Sequence, residues 1–302
     1  MNNMVIIGQG AMGLLWYGTL RNQPELNVSV RSSQPCWQQI KHIAFNQYQG
    51  LPHLLPFNAA SDQQLTEADV IIICTKAYQI TQAIRQIQPL LNPRSVIILA
   101  HNGILTPTEM CLNSINNVVL TLLTTHACLK PNALHAIHTG LGSSDIGIQQ
   151  GTLSVTQQQR LITLLNHALP NVNWHAHIQL QQWLKLAVNC IINPLTALDN
   201  VDNGVIATPK YHTITKQLLT ELILVANTQH IPLEFHELFC RIQQVAQATA
   251  HNCSSMRADL LAKRETEIDY INGYIVKCAE LHGVSVPAHT HLCHAIRQRL
   301  SM

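Results

Sequence analysis

Met4-Val5-Ile6-Ile7-Gly8-Gln9-Gly10-Ala11-Met12-Gly13 is the stretch on which the fold turns. A short apolar run ending in glycine reads as a buried strand, and Ala11 to Leu20 then reads as a helix. The turn between them is G-x-G-x-x-G in the setting that gives this pattern meaning. Gly8 permits the tight turn, Gly10 removes a side chain where a pyrophosphate approaches, and Gly13 lets helix and strand pack closely. The start of the helix offers N–H groups and the positive end of its dipole to phosphates. Gly8, Gln9, Gly10, Ala11, Met12 and Gly13 are therefore candidate dinucleotide contacts. The alternative is a glycine-rich turn that holds no ligand.

Outward from this turn the same alternation repeats. Leu26–Val30, Ala68–Cys74, Ser95–Ala100 and Val118–Leu123 read as strands, and Tyr78–Leu91 reads as a helix. Strands alternating with helices predict a parallel sheet with crossover connections. Continuous rather than alternating apolar runs fit strands buried on both faces. After Trp174 no convincing strand follows. Leu184–Asn193, Thr213–Thr228, Leu238–Ala250 and Ala258–His282 carry helical periodicity instead. The expected organisation is an α/β Rossmann-type dinucleotide-binding domain over residues 1–174 and an all-α domain over residues 175–302. At roughly 150 residues per domain, 302 residues fit two domains. The boundary lacks linker composition and reads as a packed junction, a common place for active sites.

Composition narrows the function classes. Hydrophobic residues make up 47% of the chain, enough for a sizeable core and against disorder. Charged residues make up 11%, well under the usual ~25%. Lys plus Arg (18) nearly balances Asp plus Glu (16), which argues against a nucleic-acid footprint. No apolar stretch reaches the ~18 residues of a membrane span, and the N-terminus has no secretory pattern, so a cytoplasmic location is expected. The nine cysteines are odd in number and form no C-x-x-C pair; they read as reduced, small core hydrophobes. His289-Thr290-His291-Leu292-Cys293-His294 looks like a metal cluster, but it matches no standard zinc spacing in a chain with 17 histidines, and no metal is expected.

Four further features carry chemistry. No acid follows the second strand, where an NAD site usually holds the ribose hydroxyls; Arg31-Ser32-Ser33 stands there and favours NADP, with Arg31 on the 2′-phosphate. Lys76 and Asn102 lie in loops after later strands, at the sheet edge where ligands bind. Lys185, Asn189 and Asn193 recur at spacings of four in a segment otherwise apolar, so they share one face within roughly 80°. Burial disfavours a lysine's charge and suits it to donate a proton near neutral pH. The alternative is a lysine that snorkels from the helix edge, with asparagines closing a turn before Pro194. Finally, Ser254-Ser255-Met256-Arg257 to Glu267-Ile268-Asp269-Tyr270-Ile271-Asn272-Gly273 is dense in charge; its serines either cap a helix or bind a carboxylate.

These motifs, with Lys76-Ala77-Tyr78-Gln79, His101-Asn102-Gly103, Thr125-His126-Ala127, Asn193-Pro194-Leu195-Thr196 and Asn203-Gly204, occur in an order that resembles the 2-dehydropantoate 2-reductase (ketopantoate reductase) family over nearly the whole chain. The resemblance implies a Rossmann-type domain followed by a helical domain of the 6-phosphogluconate dehydrogenase C-terminal kind. It implies NADPH-dependent reduction of 2-dehydropantoate to (R)-pantoate in the cleft between them, for pantothenate biosynthesis. On the matching positions, Lys185 is the implied general acid. Asn102, Asn189, Asn193, Asn203 and Ser255 are implied substrate contacts. Arg31, Lys76, Asn102 and Glu267 are implied cofactor contacts, and Cys128 departs from the family's small residue, so only its backbone carries over. Members occur as monomers and homodimers. Two other readings stand beside this one: another NADP-linked 2-oxoacid or β-hydroxyacid dehydrogenase, and a non-catalytic NADPH sensor. The retained Lys185 speaks against the sensor.

Overall fold

The computed structural model describes residues 1–301, which divide into two compact units. The first comprises Met1–His101 and Thr106–Ile178; the second comprises Asn102–Leu105 and the described residues from Gln179 onward. The second unit resumes at Gln179, shortly after a strand that ends at His175.

In the first unit the elements follow as β1 (Asn3–Ile7), α1 (Ala11–Leu20), β2 (Asn27–Arg31), β3 (His42–Asn46), β4 (His53–Pro56), α2 (Asp62–Thr66), β5 (Val70–Ile73), α3 (Ile80–Ile87), β6 (Val96–Leu99), β7 (Val118–Thr124), β8 (Ala127–Asn132), β9 (His135–Gly140), β10 (Ser144–Gln150), α4 (Val155–Ala168) and β11 (Val172–His175). Seven strands form one sheet in the order β11-β10-β7-β6-β5-β1-β2. From β7 to β2 all neighbours are parallel, and Val70–Ile73 and Val96–Leu99 are buried throughout, as strands covered on both faces must be. The sheet is not wholly parallel, however. The short connection from β9 turns the chain back, and β10 pairs antiparallel with β7.

Two further features depart from the sequence expectation. A second sheet, β4-β3-β9-β8, stands apart from the first. Its strands are short and largely exposed on one side, so no apolar run marks them. The helix α4 opens on an exposed Val155 followed by Thr and three Gln, so no apolar periodicity marks its start, although Ser154 and Gln157 close a capping box there. The core of this unit gathers Met4, Ile6, Leu14, Trp16, Val28, Ile72, Ile98, Leu120 and Leu165.

The second unit holds α5 (Gln179–Asp199), α6 (Pro209–Thr228), α7 (Phe235–Ala248), α8 (Ser255–Leu261), α9 (Asn272–His282) and α10 (Pro287–Leu300). The periodic stretch Ala258–His282 is broken rather than continuous. Lys263 takes a left-handed conformation (φ 49°), the Arg264 N–H closes onto Asp259 O at 2.8 Å, and the Arg264 guanidinium holds the Asp259 carboxylate at 3.0 Å. Helix α5 continues through Pro194, beyond the Leu184–Asn193 stretch that the periodicity marks, and the alternative of a turn before Pro194 does not occur. Proline has no N–H, so the Cys190 carbonyl loses its helical partner. The Asn272 side chain supplies the missing donor, with Nδ2 2.9 Å from Cys190 O. The core centres on Leu186, Cys190, Ile191, Leu218, Leu222, Ile242, Ile275 and Ile296.

Of the nine cysteines, none in a disulfide among the described residues, only Cys74, Cys190, Cys278 and Cys293 are buried; Cys36 and Cys253 are exposed, so not all are core residues. No helix among the described residues is long and apolar enough to cross a membrane.

Candidate active site

The first unit carries the turn between β1 and α1. It lies where strand order reverses, β1 being flanked by β2 on one side and β5 on the other. Gly8 has φ +108°, a conformation that favours glycine, and its N–H donates to Arg31 O at 3.0 Å. A Cβ on Gly13 would fall 2.0 Å from Gly8 O, so helix and strand touch there through backbone. A Cβ on Gly10 would meet nothing closer than Cys74 O at 3.9 Å, so this glycine leaves open space beside the turn. Helix α1 starts at Ala11 with no side-chain cap and no acid in its first turn. Its first N–H groups are thus not satisfied by any side chain, and the turn fits a phosphate-bearing ligand at Gly10, Ala11 and Met12.

Arg31 ends β2 with a partner. Its Nη1 donates to Ala60 O at 3.1 Å and its Nη2 lies 2.9 Å from Asp62 Oδ1, with a third of the side chain exposed. An ion pair this exposed contributes about 0–1 kcal/mol and leaves the guanidinium able to meet a phosphate dianion as well. Ser32 Oγ accepts the Gln34 N–H at 3.0 Å, which leaves its own proton for another acceptor. Lys76 is half-buried in the loop after β5, its N–H donating to Gln79 Oε1 at 3.3 Å. Cys128 is half-buried in β8, and burial pushes its thiol up to about 12, so it offers no thiolate.

One lysine outside the sequence expectation lies in this unit. Lys130 of β8 donates to Gln9 O at 2.7 Å, and its ammonium stands 5.5 Å from the centre of the Trp37 ring. A single Lys on a short strand gives no sequence signal; only the packing of β8 beside α1 places it at the glycine turn.

The second unit carries the other expected residues. The segment Asn102–Leu105 packs here, with the Ile104 N–H donating to Tyr270 O at 2.9 Å. Gly103 has φ +75°, and a Cβ on it would fall 2.3 Å from that carbonyl. The H-N-G and E-x-D-Y motifs are thereby joined: Asn102 Nδ2 donates to Glu267 Oε2 at 3.3 Å, and Glu267 is only 4% exposed. On α5, Lys185 and Asn189 are half-buried and Asn193 is buried. The Ser254 hydroxyl caps α8 by accepting the Arg257 N–H at 3.2 Å and takes the Thr196 hydroxyl proton at 2.8 Å. This ties α8 to α5 and leaves Ser255, the next residue, exposed. Asn203 donates to Thr249 Oγ1 at 3.1 Å, and its buried Oδ1 has no hydrogen-bond partner among the described residues. The structure therefore unites Asn102 with Glu267 and aligns Lys185, Asn189 and Asn193, while it engages Asn203 with Thr249. At the histidine-rich end both ring nitrogens of His289 are engaged: Nδ1 accepts from Asn272 at 3.1 Å and Nε2 donates to Leu218 O at 3.0 Å.

Comparison with known proteins agrees with this arrangement. The family model described as ketopantoate reductase PanE/ApbA matches residues 4–151, and its C-terminal counterpart matches residues 177–300. The 2-dehydropantoate 2-reductase of Vibrio cholerae is 33% identical over 98% of this chain and 97% of its own length. A D-mandelate dehydrogenase solved with NADH and anilino(oxo)acetate superposes with a TM-score of 0.89 at 23% identity, covering 99% of this chain and 98% of that one. A PanE/ApbA family ketopantoate reductase from Ralstonia eutropha JMP134 superposes at 0.87 with 21% identity over the same shares. The two structural likenesses show the shared fold.

Proposed function

The chain belongs to the PanE/ApbA ketopantoate reductase family of oxidoreductases, and we propose that it reduces 2-dehydropantoate to (R)-pantoate with NADPH, Lys185 serving as proton donor. The observation that carries the reading is the polar line Lys185–Asn189–Asn193 on a helix whose residues from Cys190 to Ala197 are all buried. Polar groups recurring at this spacing on a largely apolar helix add nothing to its packing and cost free energy unless they are hydrogen-bonded, so their place on one face is better explained by chemistry.

In this reading the glycine turn and the bare start of α1 hold the pyrophosphate, and Arg31 with Ser32 meets the 2′-phosphate. The nicotinamide, when bound, supplies a hydride to the C2 ketone carbon. Negative charge then develops on the ketone oxygen. The Lys185 ammonium stabilises that charge and neutralises it by transferring a proton from Nζ. Asn189 and Asn193, one and two helical turns further along the same face, provide amides for the polar groups of the substrate. The Asn102–Glu267 pair holds a carboxylate and an amide in fixed register for the cofactor or substrate. The buried, otherwise unused Asn203 Oδ1 is an acceptor for a substrate hydroxyl.

The test is loss of NADPH absorbance with 2-dehydropantoate, beside NADH and a panel of other 2-oxoacids. Turnover restricted to 2-dehydropantoate and NADPH supports the proposal. Preference for an aryl 2-oxoacid such as benzoylformate overturns the substrate assignment. Lys185→Ala is expected to lower kcat about 10²–10⁴-fold with NADPH binding retained; near-native turnover would refute the role of Lys185.

A further inference from the structure

The acid that the sequence lacks after β2 is supplied by another element. Beyond Arg31 the chain continues as Ser32-Ser33, without a carboxylate. In the fold, the segment Asn58–Ala60 is laid along the end of β2. The Val30 N–H donates to Asn58 O at 2.8 Å and the Ala60 N–H donates to Val30 O at 2.9 Å, which makes a parallel bridge between Val30 and Ala59. Ser61 then caps α2, its Oγ accepting the Gln64 N–H at 3.2 Å. Asp62 is the first residue of that helix, so the bridge and the cap together fix its backbone. From there Asp62 Oδ1 lies 2.9 Å from Arg31 Nη2. The end of β2 therefore presents a cation and an anion side by side.

Arg31 does not need this pair to hold its place. Ala60 O already accepts from Nη1 at 3.1 Å, and Ala60 is fixed to β2 through its backbone. The Asp62 side chain is 64% exposed, so the pair adds little stability. What the carboxylate does add is charge. A 2′-phosphate that meets Arg31 shares the guanidinium with a second anion, and like charges at close range repel. A nucleotide without that phosphate meets no such opposition. We propose that Asp62 is a specificity-determining residue: it opposes the 2′-phosphate at Arg31 and keeps the preference for NADPH over NADH below what Arg31 alone would give. This rests on the cofactor reading given above and deepens it. Discrimination is then set by two side chains of opposite sign, one at the end of β2 and one at the start of α2.

The experiment is titration calorimetry of the full-length protein with NADPH and with NADH, without substrate, for the unsubstituted chain, D62N, D62E, R31A and R31A/D62N. Asparagine keeps an acceptor for Nη2 and removes the charge. D62N is expected to lower the Kd for NADPH about 3–10-fold and to change that for NADH by less than about twofold. The gain should shrink as salt is raised, because the opposing charge is exposed. D62E keeps the charge and is expected to stay within about threefold of the unsubstituted chain for both nucleotides. R31A/D62N is expected to bind NADPH more tightly than R31A, since R31A leaves the carboxylate facing the phosphate without its cation. Thermal melting of each variant without nucleotide reports whether the fold is kept. Unchanged NADPH affinity in D62N overturns the inference, and so does an equal gain for both nucleotides. Weaker NADPH binding in D62N also overturns it, by showing that Asp62 positions Arg31 instead. These results leave the cofactor reading intact if R31A still weakens NADPH binding. If R31A leaves NADPH binding unchanged, or the unsubstituted chain binds neither nucleotide, the cofactor reading falls, and this inference with it.

Discussion

Asn272→Ala tests how α5 survives its proline. Asn272 is wholly buried, and its one amide group serves two acceptors: Cys190 O at 2.9 Å and His289 Nδ1 at 3.1 Å. Alanine leaves both without a donor. Each orphaned buried acceptor costs about 1–3 kcal/mol, so the gross loss is about 2–6 kcal/mol. The Asn272 Oδ1 is itself buried with no partner among the described residues, and removing it returns a part of this. The net expectation is a destabilisation of about 2–4 kcal/mol. Pro194→Ala makes the origin measurable, because alanine at 194 restores an N–H that can bond Cys190 O within the helix. In that background Asn272→Ala should cost about 1–2 kcal/mol less, since only His289 then loses its partner. The assay is urea unfolding of the four proteins, read as midpoint shifts at unchanged slope. An equal cost of Asn272→Ala in both backgrounds would refute the reasoning, as would a cost below about 1 kcal/mol in the native background.

Acid should destabilise the protein through His289, which burial holds at about 4, below its ordinary value near 6.5. The unfolded chain binds this proton first, so the contribution is complete above pH 6.5 and is lost as pH falls towards 4, by about 3 kcal/mol. Burial depresses His126 and His138 too, so their effects have the same sign; unfolding midpoints that stay flat from pH 7 to 4.5 would contradict this. Gly13→Ala forces a Cβ against Gly8 O and should destabilise the protein by about 1–3 kcal/mol while abolishing tight nucleotide binding. Gly10→Ala meets open space, so its melting temperature should hold while NADPH affinity falls; calorimetry beside thermal melting separates the two glycines. Arg31→Ala should raise the Kd for NADPH about 10–100-fold and leave that for NADH unchanged, because the contacts it removes from the free protein, to Ala60 O and the exposed Asp62, do not involve a nucleotide lacking the 2′-phosphate.

What the sequence discloses depends on how local the cause is. The β1–α1 turn is legible because every requirement of it, apolar strand, three glycines and helix start, lies within Met4–Gly13. The strands β5, β6 and β7 are legible because burial on both faces leaves unbroken runs of Val, Ile and Leu. Strand β8 fails both criteria: Ala127–Asn132 is mostly exposed, contains Pro131, and pairs irregularly with β9. Its partners, and those of β3, are chosen by register across the second sheet, which no window of sequence records. Helix α4 is a nearer miss, since the Ser154–Gln157 capping box marks its start even though its first two turns are mostly polar.

The same distinction governs the site. The residue types of the Lys185 line are visible because helical spacing is a local property, whereas the reason α5 persists beyond Cys190 lies 82 residues away, in Asn272. Asn102 and Glu267 read separately as a turn residue and a helix residue; the bond between them spans 165 positions. Lys130 reaches Gln9 across 121 positions and has no motif at all. Each of these distant contacts satisfies or fixes a backbone or side-chain group whose chemistry the local motif has already specified: a carbonyl freed by proline, a buried carboxylate, a glycine turn. A motif that leaves a polar group unsatisfied is therefore informative beyond its own length, because it states which kind of partner the fold must bring. Pro194 inside an apolar helical run is such a case: it demands a side-chain donor near residue 190, and the polar segment ending in Asn272-Gly273 is where one stands.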